Sequence, residues 1–247
     1  MKYLLPSIIF LCLIACTRDQ DDLTMPCTAD CTTIKGRFVT LNNQGIEGIQ
    51  LKLEYRNPQP VLGSRTTFIR ETVTDSDGNY EMEFYANDDQ LGSDAAGYFR
   101  VNVNADNLDE NTFFRLTTSS GYAIHDLNRR DTTIDLSFYL PQKAWITVDL
   151  NNYAPIDGTD FFEVQTLYPF GLDIGSNPFL GSIYNTGFSG YGNFRAAGTS
   201  TTFDQVPIAV GENNVIRIHK RKNATTTATD TTIFIGPNNN LSLSFDY

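Results

Sequence analysis

Cysteine and histidine are the residue types in this chain that carry chemistry most directly, and both are scarce. The chain has four cysteines and two histidines: Cys12, Cys16, Cys27, Cys31, His125 and His219. A thiolate can act as a nucleophile, two close thiols can form a disulfide, and imidazole is a common metal ligand. The residues around each one decide which of these chemistries it can support.

Cys16 lies at the border between an apolar segment and an acidic one. Lys2 and a mostly apolar run from residue 4 to residue 15 precede it, which is the layout of a secretory signal and is too short to span a bilayer. The sequence LIA before Cys16 resembles a lipobox, the processing site of bacterial lipoproteins. The resemblance implies that the signal peptide, residues 1–15, is removed and that Cys16 is acylated, which anchors the chain to a membrane.

Residues 16–31 are predicted to form a lipidated acidic tether. Removal of the signal peptide takes one basic residue and leaves 17 basic against 29 acidic residues, a net charge of −12. This charge argues against nucleic acid as a partner. The run from Thr17 to Asp22 resembles the export signals of some Gram-negative surface lipoproteins. It implies an outer-membrane, cell-surface location, and the periplasmic face of the membrane is the alternative.

Cys27 and Cys31 form a close pair in the sequence CTADC. In an oxidising compartment such a pair predicts a disulfide that closes a short loop before the first strand. A metal site would need further ligands, and both histidines are distant in sequence. We therefore predict no metal site and no cofactor.

Sequence motifs of hydrolytic enzymes are missing. The chain has no HExxH zinc motif and no GxSxG nucleophile elbow. We predict no catalytic residue and a protein that is not an enzyme. Acidic residues abound, so a glycan- or peptide-hydrolysing site built from scattered carboxylates is the alternative, because a sequence does not give their separation.

The elements that carry these residues are predicted to be strands. Ile49, Leu51, Leu53 and Tyr55 alternate with polar residues, as in a half-buried strand, and similar runs recur as far as Tyr247. Clusters of Gly, Asn, Asp and Pro separate these runs at intervals typical of β-sandwiches. No long stretch of the sequence shows the 3.6-residue apolar period of an amphipathic helix. The pattern predicts an all-β chain.

A partial sequence echo favours two domains. The segments DTTIDLSFYLPQKAWITVDL and DTTIFIGPNNNLSLSFDY both run from an Asp-Thr-Thr-Ile strand through a turn that contains proline into an alternating strand. The echo places a boundary near Leu140, with one domain at residues 32–140 and another at residues 141–247. Each has the typical size of one β-sandwich.

One stretch resembles a known domain family. The sequence TTIKGRFVTLNNQGIEGIQLKLEY, followed by ETVTDSDGNYEMEFYA, resembles the carboxypeptidase regulatory-like domain, a transthyretin-like β-sandwich. The resemblance implies a stability, spacer or interaction module and no peptidase activity. We therefore expect two tandem β-sandwiches, transthyretin- or immunoglobulin-like. Within the TDSDGNY segment, Asp75, Asp77 and Asn79 predict a tight turn, and calcium binding is the alternative.

The segment 169–200 is unusually rich in glycine and aromatic residues. It holds seven glycines and six aromatic side chains, with only Asp173 and Arg195 charged. Long segments of this kind are often functional, and aromatic rings suit stacking on sugars or anchoring a protein. The candidate ligand-binding residues are Phe179, Tyr184, Phe188, Tyr191 and Phe194. The alternative is that the aromatic rings pack against the second sandwich.

These features together predict a non-enzymatic, lipid-anchored protein of the cell envelope. The first sandwich is expected to space the second from the membrane, and the second to present segment 169–200 to a protein or glycan partner. A purely structural lipoprotein without a specific partner is a further alternative. The membrane itself is the one partner that the anchor at Cys16 implies.

Overall fold

A computed structural model describes residues 27–59, 63–114, 121–173, 191–237 and 239–247. The strands of the first half are β1 (Thr32–Thr40), β2 (Gln44–Gly45), β3 (Gln50–Gln59), β4 (Gly63–Val73), β5 (Asn79–Phe84), β6 (Tyr98–Asn104), β7 (Gly121–Ile124), β8 (Thr133–Asp135) and β9 (Ser137–Tyr139). Two short 3-10 helices, Leu41–Asn43 and Asp88–Gln90, join some of them. In the described residues no helix is long and apolar enough to span a membrane.

The first half is a β-sandwich. In one sheet the central strand β1 pairs with β5 antiparallel and with β8 and β9 in parallel, and in the other sheet the order is β4-β3-β6-β7. The alternating apolar residues of β1, β3, β5 and β6 face each other between the sheets, because successive side chains of a strand point to opposite faces. The first core includes Ile34, Phe38, Leu51, Leu53, Met82, Phe99 and Val101.

The second half provides eight strands. They are β10 (Lys143–Asn151), β11 (Phe161–Leu167), β12 (Gly171–Asp173), β13 (Tyr191–Arg195), β14 (Thr201–Ala209), β15 (Asn213–Lys222), β16 (Thr225–Phe234) and β17 (Leu241–Asp246). Seven of them form a second sandwich with the sheet orders β14-β10-β17 and β13-β11-β15-β16. The second core includes Ile146, Val148, Leu150, Phe162, Val164, Val206, Ile208, Ile216 and Ile218. The all-β sandwich fold predicted from alternation is confirmed.

The two sandwiches have the same topology. In the first sandwich, β1 lies between the antiparallel strand β5 and the parallel strands β8 and β9, which are the last of that sandwich. In the second, β10 lies between the antiparallel strand β14 and the parallel last strand β17. The second sheet of each also follows one plan, since β4-β3-β6-β7 corresponds strand for strand to β13-β11-β15-β16. The Asp-Thr-Thr-Ile echo does not follow this correspondence, because its first copy lies in β8 and its second in β16.

A short strand from the second half completes the first sheet. β12 pairs antiparallel with β9, with Gly171 opposite Tyr139 and Leu172 opposite Phe138. Tyr168, Phe170 and Leu172 are buried in the first core, not the second. We call this arrangement, β12 on β9 with these three side chains in the first core, the joint. It ties residues of the second half into the first sandwich.

Further contacts flank the joint. The ring of Tyr168 stacks on that of Phe114, with centroids 4.2 Å apart. The backbone amide of Lys143 donates to Thr112 O at 2.7 Å, and the Val210 amide donates to Gln142 O at 3.0 Å. The start of β10 is thereby hydrogen-bonded to the loop that precedes residue 115, and the end of β14 is hydrogen-bonded to Gln142, just before β10. The connection between the sandwiches is packed and hydrogen-bonded.

Candidate functional site

The predicted lipidation site lies outside the described residues, and so do several of the candidate binding residues. Cys16 precedes residue 27, and the candidates Phe179, Tyr184 and Phe188 lie between residues 173 and 191. Lipidation at Cys16 and ligand binding at these aromatic residues stay predictions.

Cys27 and Cys31 are joined by a disulfide in the structure, with Cα atoms 5.7 Å apart. The bridge closes its loop immediately before Thr32, the first residue of β1. Neither thiol is therefore available as a metal ligand or a nucleophile in this state. The disulfide therefore lies at the end of the predicted tether, next to the first strand of the first sandwich.

Segment 169–200 divides between the two cores where the structure describes it. Phe170 is buried in the first core as part of the joint. Phe194 lies in β13, is half-buried against the second core, and packs on Phe203 with ring centroids 5.4 Å apart. Tyr191 opens β13 opposite Leu167. The described ends of the segment are strands, so it is not one continuous loop from residue 169 to residue 200.

The TDSDGNY segment forms the tight turn between β4 and β5. The Asp75 Oδ1 atom accepts hydrogen bonds from the backbone amides of Asp77 and Asn79, at 2.9 and 2.8 Å. These bonds lower the pKa of the Asp75 carboxyl, the Asn79 amide contributing most. Gly78 has a positive φ of 77°, which glycine adopts without steric cost. The carboxylate of Asp75 thus stabilises the turn itself.

The two histidines make different contacts. His125 stacks on Tyr98 with ring centroids 4.8 Å apart, and His219 on β15 lies 3.4 Å from the side-chain oxygen of Gln165. Across the described ranges, no three His, Cys, Asp or Glu side chains are close enough together to hold a metal ion.

A groove of about 650 Å³ runs over the outer face of the first sheet. Lys35 on β1 is exposed in this groove. Strand register places Glu81 on one side of Lys35 and Asp135 on the other. Arg37 also lines the groove and donates to Asp77 O through its guanidinium. The groove is open and carries charges of both signs, which is typical of a solvated sheet face.

A half-buried carboxyl lies beside the joint. Glu212, in the turn between β14 and β15, accepts a hydrogen bond from the hydroxyl of Tyr139 through its Oε1 atom. Burial raises the pKa of the Glu212 carboxyl above its ordinary value of 4.5, and the bond from Tyr139 offsets part of that increase. The charged form of Glu212 therefore costs free energy in the folded protein.

We expect this carboxyl to make the protein less stable as the pH rises. Between pH 4.5 and the raised folded pKa, the folded state binds more protons than the unfolded state, so the free energy of unfolding decreases with increasing pH. Glu212→Gln keeps an oxygen to accept from Tyr139 and removes the charge, so it should remove this decrease and raise stability at neutral pH. Urea unfolding at a series of pH values measures both effects. An unchanged pH profile in the variant would contradict the prediction.

One sheet face combines aromatic, hydroxyl and carboxylate side chains. We define the Trp145 face as the outward side of the sheet β14-β10-β17, whose side chains include Lys143, Trp145, Thr147, Asp149, Asn151, Thr202, Ser242, Ser244 and Asp246. Register brings them together, because Thr147 lies opposite Ser242, and Asp149 lies opposite both Ser244 and Thr202. Trp145 is the only tryptophan of the chain and is 38% exposed.

The Trp145 face is held in place by its own hydrogen bonds. The Thr202 hydroxyl donates to Asp149 Oδ1 at 2.6 Å, and the Asn151 amide donates to the Ser244 hydroxyl at 2.8 Å. This face was not predicted from the sequence. The alternation along β10 indicates that Trp145, Thr147 and Asp149 share one side, but sequence alone does not indicate that β14 and β17 flank them.

Comparison with known proteins gives distant structural likenesses only. No family model matches the chain, and no curated protein matches it. The TIE protein of Bacillus anthracis is 8% identical with a TM-score of 0.30, and the match covers 88% of this chain and 33% of that one. A streptococcal ancillary pilin is 11% identical with a TM-score of 0.31, over 87% of this chain and 62% of that one.

A third likeness is to BcpA, the major pilin subunit of Bacillus cereus, at 8% identity and a TM-score of 0.30, over 83% of this chain and 69% of that one. This chain thus spans about a third of the TIE protein and about three fifths of the ancillary pilin. Likenesses at this level transfer neither activity nor partner to this chain.

Proposed function

We propose that this protein is a non-enzymatic, lipid-anchored module of the bacterial cell envelope that holds its second sandwich at a fixed distance from the membrane. The first sandwich, of the carboxypeptidase regulatory-like kind, serves as the spacer. The second presents its surface to a protein or glycan partner. Acylation of Cys16 supplies the anchor, and the acidic tether and the disulfide lie between the anchor and β1.

The joint is the observation that carries this proposal. Domains in one chain move relative to each other by default unless their interface is large and apolar. Here β12 adds backbone hydrogen bonds to β9, and Tyr168, Phe170 and Leu172 add buried apolar surface. A spacer must keep its length, and a packed connection of this kind supports that role better than a free linker does.

The proposed location is the outer membrane with the protein exposed at the cell surface. The acidic run after Cys16 supports it through its resemblance to surface export signals, and the net charge keeps the exposed protein soluble. If the protein instead faces the periplasm, the same architecture would space its second sandwich within that compartment. Digestion of intact cells with an added protease distinguishes the two locations.

The anchor is tested by Cys16→Ser. We expect the parent protein to take up radiolabelled palmitate and to remain in the membrane fraction, because acyl chains on one residue give stable attachment. The variant should take up no label. Cys12→Ser, within the signal peptide, is the matched control and should behave as the parent. Mass spectrometry that found an unacylated amino terminus on the mature parent protein would contradict the proposal.

A further inference from the structure

The last strands of the two sandwiches lie in different surroundings. In the first sandwich β9 is flanked by β1 on one side and by β12 on the other. In the second sandwich β17 pairs with β10 on one side, and no strand of the described residues pairs with its other side. We call this unpaired side of Leu241–Asp246 the β17 edge. Because the two sandwiches share one topology, it corresponds to the edge of β9 that β12 covers.

The burial of the inward apolar side chains follows this difference. Phe138, on the strand that β12 covers, is buried, whereas Ile134 in β8, which β12 does not reach, is only half-buried. The inward side of β17 resembles the uncovered part of the first sandwich. Its apolar side chains are all only half-buried against the second core, and they are Leu241, Leu243 and Phe245.

The backbone of β17 offers hydrogen-bonding groups along this edge. The Tyr247 amide donates to Asn151 O, at the end of β10, at 3.0 Å. Successive residues of a strand direct their amide and carbonyl groups to opposite sides, so the groups of Ser242, Ser244 and Asp246 face the β17 edge. An edge of this kind is a template for pairing with another strand.

Two other edge strands carry features that oppose pairing, and β17 does not. β5 exposes Glu81 and Glu83, and β14 contains Pro207 and has a shift in its register with β10. Charges, proline and bulges are the usual protections of a sheet edge. β17 has no proline, its register with β10 runs without a shift, and its one charged residue is Asp246 at its end.

We propose that the β17 edge pairs with the β17 edge of a second copy of this chain, antiparallel about a twofold axis. With the axis at Leu243, Leu241 of one copy lies opposite Phe245 of the other, and Ser242 lies opposite Ser244. Opposite residues of paired strands lie on the same face, so the half-buried apolar side chains of the two copies cover each other. Each pair of Ser242 with Ser244 exchanges both of its backbone hydrogen bonds.

The sequence of β17 suits a second copy because it is self-complementary. In LSLSF, residues 241–245, apolar residues and serine alternate in both directions from Leu243. A twofold interface requires such a self-complementary surface. The local charges also permit it, because Asp246 of one copy lies opposite Asn240 of the other. The two Asp246 residues then lie six residues apart along the pair, about 20 Å at the usual rise per residue.

The pairing depends on the folded second sandwich and not on the lipid anchor, so it goes beyond the proposed function. The two proposals fail separately. An unacylated protein that dimerises would refute the anchor alone, and an acylated protein that stays monomeric would refute the pairing alone.

The test is sedimentation equilibrium of the full-length protein in a detergent whose density is matched to the solvent. We expect a dimer at micromolar protein concentrations. The dissociation constant should decrease as salt is added, because salt screens the repulsion between two acidic chains. Ser244→Pro removes a backbone donor at the β17 edge and none that faces β10, so the sandwich should still fold. Its dissociation constant should rise by about tenfold or more, because each copy loses a donor and carries a proline ring in its place.

Ser244→Ala is the matched control for the proline variant. Both variants lose the Ser244 hydroxyl, which accepts from the Asn151 amide, but the alanine variant keeps its backbone donor and should dimerise as the parent. The thermal midpoints of the two variants show whether the proline variant is folded.

Cross-linking decides if the proline variant is unfolded, and it also reports the register. A variant that combines Ser242→Cys with Ser244→Cys should form an interchain disulfide on mild oxidation, because residue 242 of one copy lies opposite residue 244 of the other. Glu81→Cys combined with Glu83→Cys, on the exposed side of β5, is the matched control. It should remain a monomer on a non-reducing gel.

Three results would overturn the proposal. A folded Ser244→Pro variant that dimerises as tightly as Ser244→Ala would place the interface elsewhere. A monomeric parent whose Ser244 amide is protected from hydrogen exchange would show that another segment of the same chain covers the edge. A monomeric parent whose Ser244 amide exchanges rapidly would show that a second copy does not bind the edge.

Discussion

Leu172→Asp is expected to detach β12 from the first sheet and to uncouple the two sandwiches. Leu172 is 2% exposed in the first core, opposite Phe138 on β9. Loss of a buried leucine costs about 2–5 kcal/mol, and a carboxylate placed there would also lose its hydration. Release of β12 keeps the carboxylate hydrated, but it also withdraws Tyr168 and Phe170 from the first core.

Two measurements would detect the expected release of β12. Urea unfolding should give a lower free energy for the first sandwich, by about 2–5 kcal/mol. Small-angle X-ray scattering should give a larger maximum dimension, because the sandwiches are then joined by a free segment. Ile156→Asp is the matched control, since Ile156 is 66% exposed and its replacement should change neither quantity. Unchanged scattering from Leu172→Asp would show that the joint does not fix the distance between the sandwiches.

The second large effect is expected at Asn214, a fully buried polar residue at the start of β15. Its side-chain amide donates to Ala209 O at 2.9 Å and to Glu212 O at 3.0 Å, and its Oδ1 accepts from the Ala209 amide at 2.8 Å. Asn214→Ala leaves three backbone groups without these partners. Each unsatisfied buried group costs about 1–3 kcal/mol, so we expect a loss of about 3–5 kcal/mol in the free energy of unfolding.

The neighbouring residue provides the control for this prediction. Asn213 is exposed, so Asn213→Ala should cost less than about 0.5 kcal/mol. Asn214→Asp is a useful third variant, because its carboxylate can still accept from the Ala209 amide but cannot donate to either carbonyl oxygen. It should be nearly as unstable as Asn214→Ala. A loss below about 1 kcal/mol in Asn214→Ala would indicate that water replaces the amide.

Strands with one buried and one exposed face were predictable from the sequence. Alternation in β3, β5 and β10 is regular, and all three form as the period-two pattern predicts. β16 was less predictable. Its threonine-rich sequence has the composition of a solvated loop, and it forms a strand because all ten of its residues pair with β15.

The joint was not predictable from sequence. β12 has only three residues and begins at Gly171, so it shows no period, and its partner β9 lies more than thirty residues earlier. Alternation shows which residues are buried but not in which core. For that reason Phe170 and Leu172 could be expected inside the protein, while their place in the first core could not.

The sequence echo that favoured two domains does not follow the repeat of strand order. The echoed Asp-Thr-Thr-Ile motifs lie in strands that do not correspond, whereas strand order repeats throughout both sandwiches. Strand order depends on which apolar faces meet, and many sequences satisfy that requirement equally well. The Trp145 face illustrates the same limit, since its residues come from β10, β14 and β17 and meet only in the folded sheet.

The parallel pairing of the first and last strands has a mechanical consequence. In the first sandwich β1 pairs in parallel with β8 and β9, and in the second β10 pairs in parallel with β17. A pull on the two ends of either sandwich slides these strands past each other along their length. The force then loads all the hydrogen bonds between the two strands in shear at once, instead of breaking them one after another.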